Sequence, residues 1–249
     1  MKRKKSYIIG ITLFLIATGL MIFGVQSLSR STGASFSTMF TPESTLIQSS
    51  SLDEKSIDFP QLTKEVNENE KEVKIVTSFG TIRAKIFPDL APKAVENFIT
   101  HSAEGYYNET TFHRVIPNFM IQGGDPKGDC TGGESIWGEP FEIETSNQLF
   151  HIRGALAMAK TSEPISIGSQ FYIVQNPIDM STSFDTSSTP NEIVEAYKSG
   201  GYPALDQQYT VFGQVIEGMD VVDAISEVKT DSRDQPLQEI TIESIEIID

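Results

Sequence analysis

Between residues 72 and 87 apolar side chains recur at every second position. Val73 and Ile75 stand before Ser78-Phe79-Gly80, and Ile82, Ala84 and Ile86 follow it. Successive side chains of a strand point to opposite faces, so this spacing fits two strands buried on one side and joined by a tight turn. Further short strands are predicted at 111–115, 155–159, 170–174, 211–216 and 240–248. Residues 91–103 instead carry a helical stripe of Ala94, Val95, Phe98 and Ile99, with Pro92 in the first turn and Gly105 just past the end. Two more helices are predicted at 192–198 and 219–226, and no internal repeat is visible. Many short strands, long irregular connections and few helices predict a mainly β fold, an antiparallel barrel capped by helices.

The N-terminal part differs in kind. Lys2, Arg3, Lys4 and Lys5 form a basic tail at 1–5, followed by an uncharged, mostly apolar stretch at 6–28. Such a stretch is long enough to cross the hydrocarbon core as one helix. The cations before it predict a cytoplasmic N-terminus, with the rest of the chain outside the cell membrane. A cleaved signal peptide, cut near Val25-Gln26-Ser27, is the competing reading. Residues 29–70 are rich in Ser, Thr, Glu and Asn, which predicts a flexible linker between a transmembrane signal-anchor and a folded domain at 71–249.

Five of the 19 basic residues and none of the 34 acidic ones lie within the first 30, so the remainder carries a net charge of −20 with His neutral. That excess disfavours nucleic acid as a partner. The single cysteine, Cys130, excludes an intramolecular disulfide. His101, His113 and His151 are not at zinc-ligand spacing, and Gly123-Gly124 and Gly132-Gly133 lack the lysine of a phosphate loop. No metal and no cofactor is expected. Asn108-Glu109-Thr110 fits a glycosylation sequon.

Three stretches concentrate chemistry. The first runs Phe112-His113-Arg114-Val115-Ile116-Pro117-Asn118-Phe119-Met120-Ile121-Gln122-Gly123-Gly124-Asp125. The second pairs Leu156-Ala157-Met158-Ala159-Lys160 with Gly168-Ser169-Gln170-Phe171-Tyr172, and the third is Leu205-Asp206-Gln207-Gln208-Tyr209-Thr210-Val211-Phe212-Gly213. In this order and spacing they closely resemble the signature of cyclophilin-type peptidyl-prolyl cis-trans isomerases. The resemblance extends from Glu72 to Asp249 and implies a closed eight-stranded barrel with a helix over each end. By the same resemblance Arg114, Phe119, Met120, Gln122, Ala159, Gln170, Tyr172, Leu205 and Tyr209 fall on active-site positions.

The implied reaction is rotation about an X-Pro peptide bond, opposed by a barrier of about 18–20 kcal/mol. It needs no nucleophile and no acid–base pair, only tighter binding of the twisted amide than of either planar isomer. Arg114, always charged and carrying a fixed fork of donors, is the candidate for the transition-state contact. Phe119 and Met120 offer a flat and an adaptable wall for the proline ring, and Gln122 can both donate to and accept from a substrate backbone. A binding module that holds proline-containing peptides without turning them over, and a surface adhesin, are the alternatives; Arg114 and Gln122 favour the enzyme.

Departures from the family pattern are informative. Ala204 stands where many members have the Trp that helps bind cyclosporin, so weak cyclosporin binding is expected. Tyr209 replaces a frequent His, and Tyr172 replaces a frequent Phe, adding a hydroxyl that needs a partner. Lys160 replaces a frequent Asn beside the expected substrate path. A side pocket for residues upstream of proline would be lined by Cys130, Thr131, Glu139, Pro140 and Gln170, with Cys130 at a position usually held by Gly. Residues 176–203 form a long insertion, read as passive by default or as a substrate-selecting flap. The expected substrates are X-Pro-containing exported proteins.

Overall fold

The computed structural model describes residues 59–248. The expected basic tail, the transmembrane segment and most of the linker, at 1–58, lie outside the described residues. Within them, no helix is long and apolar enough to cross a membrane.

Strands β1 (Lys71–Thr77) and β2 (Gly80–Ile86) form the expected hairpin. Val73 pairs with Ala84 and Ile75 with Ile82, so the apolar residues of both strands share one fully buried face. Helix α1 (Pro92–Ala103) follows, then β3 (Thr110–Thr111), β4 (Arg114–Ile116), β5 (Met120–Gly123), β6 (Phe141–Glu142), β7 (Ala155–Met158), β8 (Ile165–Ile167) and β9 (Phe171–Val174). Helix α2 (Asn191–Tyr197), β10 (Val211–Glu217), α3 (Met219–Ser226) and β11 (Thr241–Ile248) complete the order.

Nine strands make one antiparallel sheet in the order β3-β11-β1-β2-β10-β7-β9-β5-β4, and β6 pairs with β8 separately. This corrects the closed eight-stranded barrel with two capping helices: among the described residues there are three α-helices, and no ladder joins the edge strands β3 and β4. The cause is local. The predicted strand 111–115 is interrupted at Phe112-His113, leaving edges of two and three residues. At that seam the backbone is satisfied from another segment, Phe112 N–H donating to Ile240 O (2.9 Å) and Val115 N–H to Asp234 O (2.8 Å). The sheet therefore curls until its edges are two residues apart in the chain, without pairing.

The interior is aromatic. Phe98, from the buried face of α1, packs against Tyr107, Phe171 and Phe212 with ring centroids 5.0–5.4 Å apart. Gly124, at φ +81°, tucks under this cluster; a Cβ there would meet Ser169 O at 2.8 Å and the Phe171 ring at 2.9 Å.

Residues 59–70, which their composition assigns to the linker, pack instead as a strap. Phe59 sits edge-on against Phe150 with centroids 6.1 Å apart, and a 3-10 turn at Pro60–Leu62 buries Gln61. The Gln61 carboxamide donates to Phe150 O (2.9 Å) and accepts from Phe150 N–H (2.7 Å), so it mimics a strand partner. Farther along, the fully buried Lys85 ammonium donates to Glu65 O (2.8 Å) and Thr63 Oγ1 (3.2 Å) and pairs with Glu70 at 3.2 Å. Polar, long-range contacts hold this segment, which is why its polar composition misleads.

The insertion is closed at its base: Gly201 N–H donates to Asn176 O (3.0 Å) and Asn176 Nδ2 to Gly201 O (2.8 Å). Ile193 and Tyr197 of α2 form a satellite core with Phe59, Phe150 and Ile152.

Candidate active site

The site is assembled by cross-strand register. Arg114 on β4 is paired with Gln122 on β5, Gln122 with Tyr172 on β9, and Tyr172 with Ala157 on β7. Directly paired residues of an antiparallel sheet point to the same face, so these side chains form one row across four strands. Met120, two residues before Gln122, joins that face. The β4–β5 turn runs through Pro117 and Asn118, the latter at φ +57°, with Phe119 N–H donating to Ile116 O (3.2 Å). A Pro-Asn pair suits such a turn, since proline presets φ and asparagine tolerates the left-handed region. It delivers Phe119 beside Met120, braced by the Tyr202 ring at 4.5 Å.

Together Arg114, Phe119, Met120, Gln122, Ala159, Lys160, Tyr172, Leu205 and Tyr209 line a groove of about 220 Å³. Every candidate catalytic and substrate-binding residue except Gln170 lies on it. Gln170 stands one step away: Gln122 Nε2 donates to Gln170 Oε1 (2.8 Å), and Gln170 Nε2 donates to Gly132 O (2.8 Å). These two carboxamides divide the groove from a neighbouring pocket of about 260 Å³, lined among others by Cys130, Thr131, Gly133, Ser166 and Gln170. Cys130 and Thr131 fall where expected, whereas Glu139 does not. It is exposed beyond this pocket, its carbonyl accepting the Ser135 hydroxyl (2.5 Å) within a turn that carries it away.

Arg114 is partly exposed, with Nε 3.5 Å from Asp234 Oδ2, and its Nη groups have no hydrogen-bond partner among the described residues. One carboxylate thus orients the guanidinium while leaving the forked end available. Lys160 lies over the Tyr209 ring at 4.7 Å from its centroid. Cys130 adopts φ +68°, the conformation a glycine would favour. Burial pushes its thiol pKa up, with Arg114 acting the opposite way, so it is a protonated thiol at neutral pH rather than an activated nucleophile.

Beneath the groove lies a relay that sequence reasoning missed. The Tyr172 hydroxyl lies 3.1 Å from His151 Nε2, and His151 Nδ1 lies 2.9 Å from Asp206 Oδ1. The carboxylate only accepts, so Nδ1 carries the proton and, in the neutral ring, Nε2 accepts from Tyr172. Asp206 also accepts from His151 N–H (2.7 Å) and from the Tyr197 hydroxyl of α2 (2.6 Å). The one signal for it in the sequence was the extra hydroxyl of Tyr172. Through Tyr197 and Tyr202 the insertion braces the groove, although no residue of α2 lines it.

His113, next to Arg114, is buried, and neither ring nitrogen has a hydrogen-bond partner among the described residues. Burial holds its pKa below the ordinary value, outweighing the opposite pull of Asp125.

A groove that mixes apolar walls with a row of polar side chains across four strands of a curled antiparallel sheet is suited to an extended peptide. The sequence profile described as "Cyclophilin type peptidyl-prolyl cis-trans isomerase/CLD" matches residues 72–247, and the chain belongs to that family. It is similar to proteins named "Putative peptidyl-prolyl cis-trans isomerase" from Staphylococcus saprophyticus, at 51% identity over 195 residues (77% of this chain, 98% of the relative), and from Staphylococcus aureus strain COL, at 48% over 193 residues (76% and 98%). Among solved structures, a cyclophilin type peptidyl-prolyl cis-trans isomerase of Cryptosporidium parvum aligns with TM-score 0.60 and 34% identity, covering 72% of this chain and 98% of that one. A crystal of a Cryptosporidium parvum cyclophilin in the presence of the dipeptide Ala-Pro aligns with TM-score 0.59 and 36% identity, covering 72% of this chain and 99% of that one. The activity of this chain is peptidyl-prolyl cis-trans isomerisation.

Proposed function

We propose that this isomerase acts on X-Pro bonds of exported proteins, outside the cell membrane and tethered to it by residues 6–28, and that Arg114 supplies the transition-state contact. The observation that carries the catalytic part is the Arg114–Gln122–Tyr172 row facing one groove with Phe119 and Met120. The proline ring sits against Phe119, Met120 and Leu205, away from water. Gln122, held at 2.8 Å by Gln170, fixes the substrate backbone. As the preceding carbonyl swings out of plane, the prolyl nitrogen loses conjugation and becomes a better acceptor. The free end of the Arg114 guanidinium donates to it then and not to the planar amide, so the contact lowers the barrier rather than stabilising the ground state.

The tether rests on the charge pattern, four cations immediately before an uncharged run. The curated relatives are matched over 98% of their own length by about three quarters of this chain, which fits a catalytic unit complete without its N-terminal part. Ala204, exposed on the turn before Leu205, presents a methyl group where an indole would cover cyclosporin, so we expect weak inhibition.

The test is exchange of a short X-Pro peptide by the full chain in detergent, beside Arg114→Ala, with protease accessibility on intact cells. Acceleration lost in the variant, with peptide binding retained and the domain cut by external protease, is the expected result. Undiminished turnover in Arg114→Ala would refute the assigned contact, and a domain protected in intact cells would refute the topology.

A further inference from the structure

The sign of charge at the groove is opposite to that of the chain. Outside the first 30 residues the chain carries −20, yet among the described residues the only charged side chains lining the groove or its neighbouring pocket are Arg114 and Lys160. The neighbouring acids are committed elsewhere: Asp125 accepts from Lys127 N–H (2.8 Å) and Gly132 N–H (3.1 Å), and Asp206 holds His151. Asp234 lies against Arg114, and Asp129 accepts from Thr131 N–H (2.9 Å) and Oγ1 (2.6 Å). Glu163 is exposed in the loop after Lys160 and lines neither cavity.

Lys160 occupies the junction. Strand β7 ends at Met158, and Ala159 N–H donates to Gln170 O (2.9 Å), which fixes where the next residue emerges. Lys160 thus lines both cavities, together with Gln122 and Ala159. Its ammonium reaches only Thr161 O at 3.3 Å and the face of Tyr209, and no carboxylate is within ion-pair distance among the described residues. A half-buried cation held over a ring without an anion is available to a ligand that brings one.

We propose that Lys160 makes the enzyme select X-Pro segments carrying an acidic side chain one or two residues before the proline. This rests on the isomerase reading of the groove, because a proline ring against Phe119 and Met120 sends the preceding residues across Gln122 and past Lys160 into the neighbouring pocket. Long-range repulsion by the acidic chain opposes such substrates, but at physiological ionic strength the screening length is about 8 Å, so distant carboxylates fade while a contact cation does not. A partly exposed pair of this kind is worth a few-fold in binding, and exchanging a favourable for an unfavourable charge doubles the exponent.

The test compares kcat/KM for peptides Ala-Xaa-Pro-Phe and Xaa-Ala-Pro-Phe with Xaa Glu, Gln or Lys, using the full chain and its Lys160→Met and Lys160→Glu variants. At physiological ionic strength, where the distant carboxylates are screened, Glu over Lys should be favoured about tenfold at one of the two positions. The ratio should collapse in Lys160→Met and invert in Lys160→Glu. No charge preference in the native chain, or a preference that survives Lys160→Met, overturns the proposal. Peptide binding followed by NMR separates it from the reading beneath it. Acid-selective binding without turnover of any peptide would sink the isomerase mechanism and keep the role of Lys160; absence of both binding and turnover would sink the two together.

Discussion

The Tyr172 hydroxyl stands 3.1 Å from His151 Nε2, directly behind the wall of the groove, and the same histidine is held at its other nitrogen by Asp206. The groove wall is thereby tied to a residue next to Leu205 and, through Tyr197, to α2 of the insertion. Burial first, and then Asp206, hold the Tyr197 phenol far above its ordinary pKa, so it remains a neutral donor throughout the working range. Tyr197→Phe removes that donor and leaves a largely buried carboxylate oxygen unpaired, at a cost of about 1–3 kcal/mol. Urea denaturation of the variant checks this. Because Asp206 adjoins Leu205, KM for X-Pro peptides should rise more than kcat falls.

Arg114→Ala should lower kcat/KM by about 10²–10³-fold, the usual effect of deleting one transition-state donor. Arg114→Lys should recover little of it, because a single ammonium cannot both reach Asp234 at one end and present a fork at the other. Peptide affinity, measured by NMR titration, should change only a few-fold in both variants.

Glu70→Ala leaves the fully buried Lys85 ammonium with Glu65 O and Thr63 Oγ1 but without a counter-charge, and should cost about 3 kcal/mol. The double variant Glu70→Leu with Lys85→Met should regain most of that, since it removes both charges and fills the same space. Denaturant midpoints of the three proteins decide the matter. A chain cut at residue 70 should likewise melt well below one that retains Phe59 and Gln61.

Acidification gives a further expectation. Burial lowers the pKa of both His101 and His113 from the ordinary 6.5. The unfolded chain therefore takes up protons there near pH 6.5, while the folded chain does so only at lower pH. Across that window the unfolded state binds more protons, so stability falls as pH drops below 6.5 and recovers as it rises. Carboxylates such as Asp129 and Asp231, held below 3.8 by hydrogen bonds, act only in more acid solution. Replacing both histidines by Gln should flatten the stability profile between pH 8 and 5.

The sequence was legible where one periodicity ruled. Val73 to Ile86 alternated cleanly and paired as the expected hairpin, and the stripe Ala94–Val95–Phe98 faces the core. Strand β5 was hidden inside a stretch read only for its chemistry, and β6, two residues long, carries too few positions to show a period. The groove residues were recognisable because three stretches kept their order. The relay was not, since His151, Asp206 and Tyr197 are ordinary residues separated by up to 55 positions until the fold joins them. Glu139 shows the converse error: a position transferred from a pattern, without the turn that points it elsewhere.

The clamp of Gln61 on Phe150 defines a load path. A pull on the chain ahead of Phe59 meets the Phe59–Phe150 contact and the two carboxamide bonds before it can reach β1. Phe150 adjoins His151, so tension in the strap arrives one peptide unit from the relay behind the groove wall. Should that end of the chain be held fixed, a load on the domain reaches the strap first.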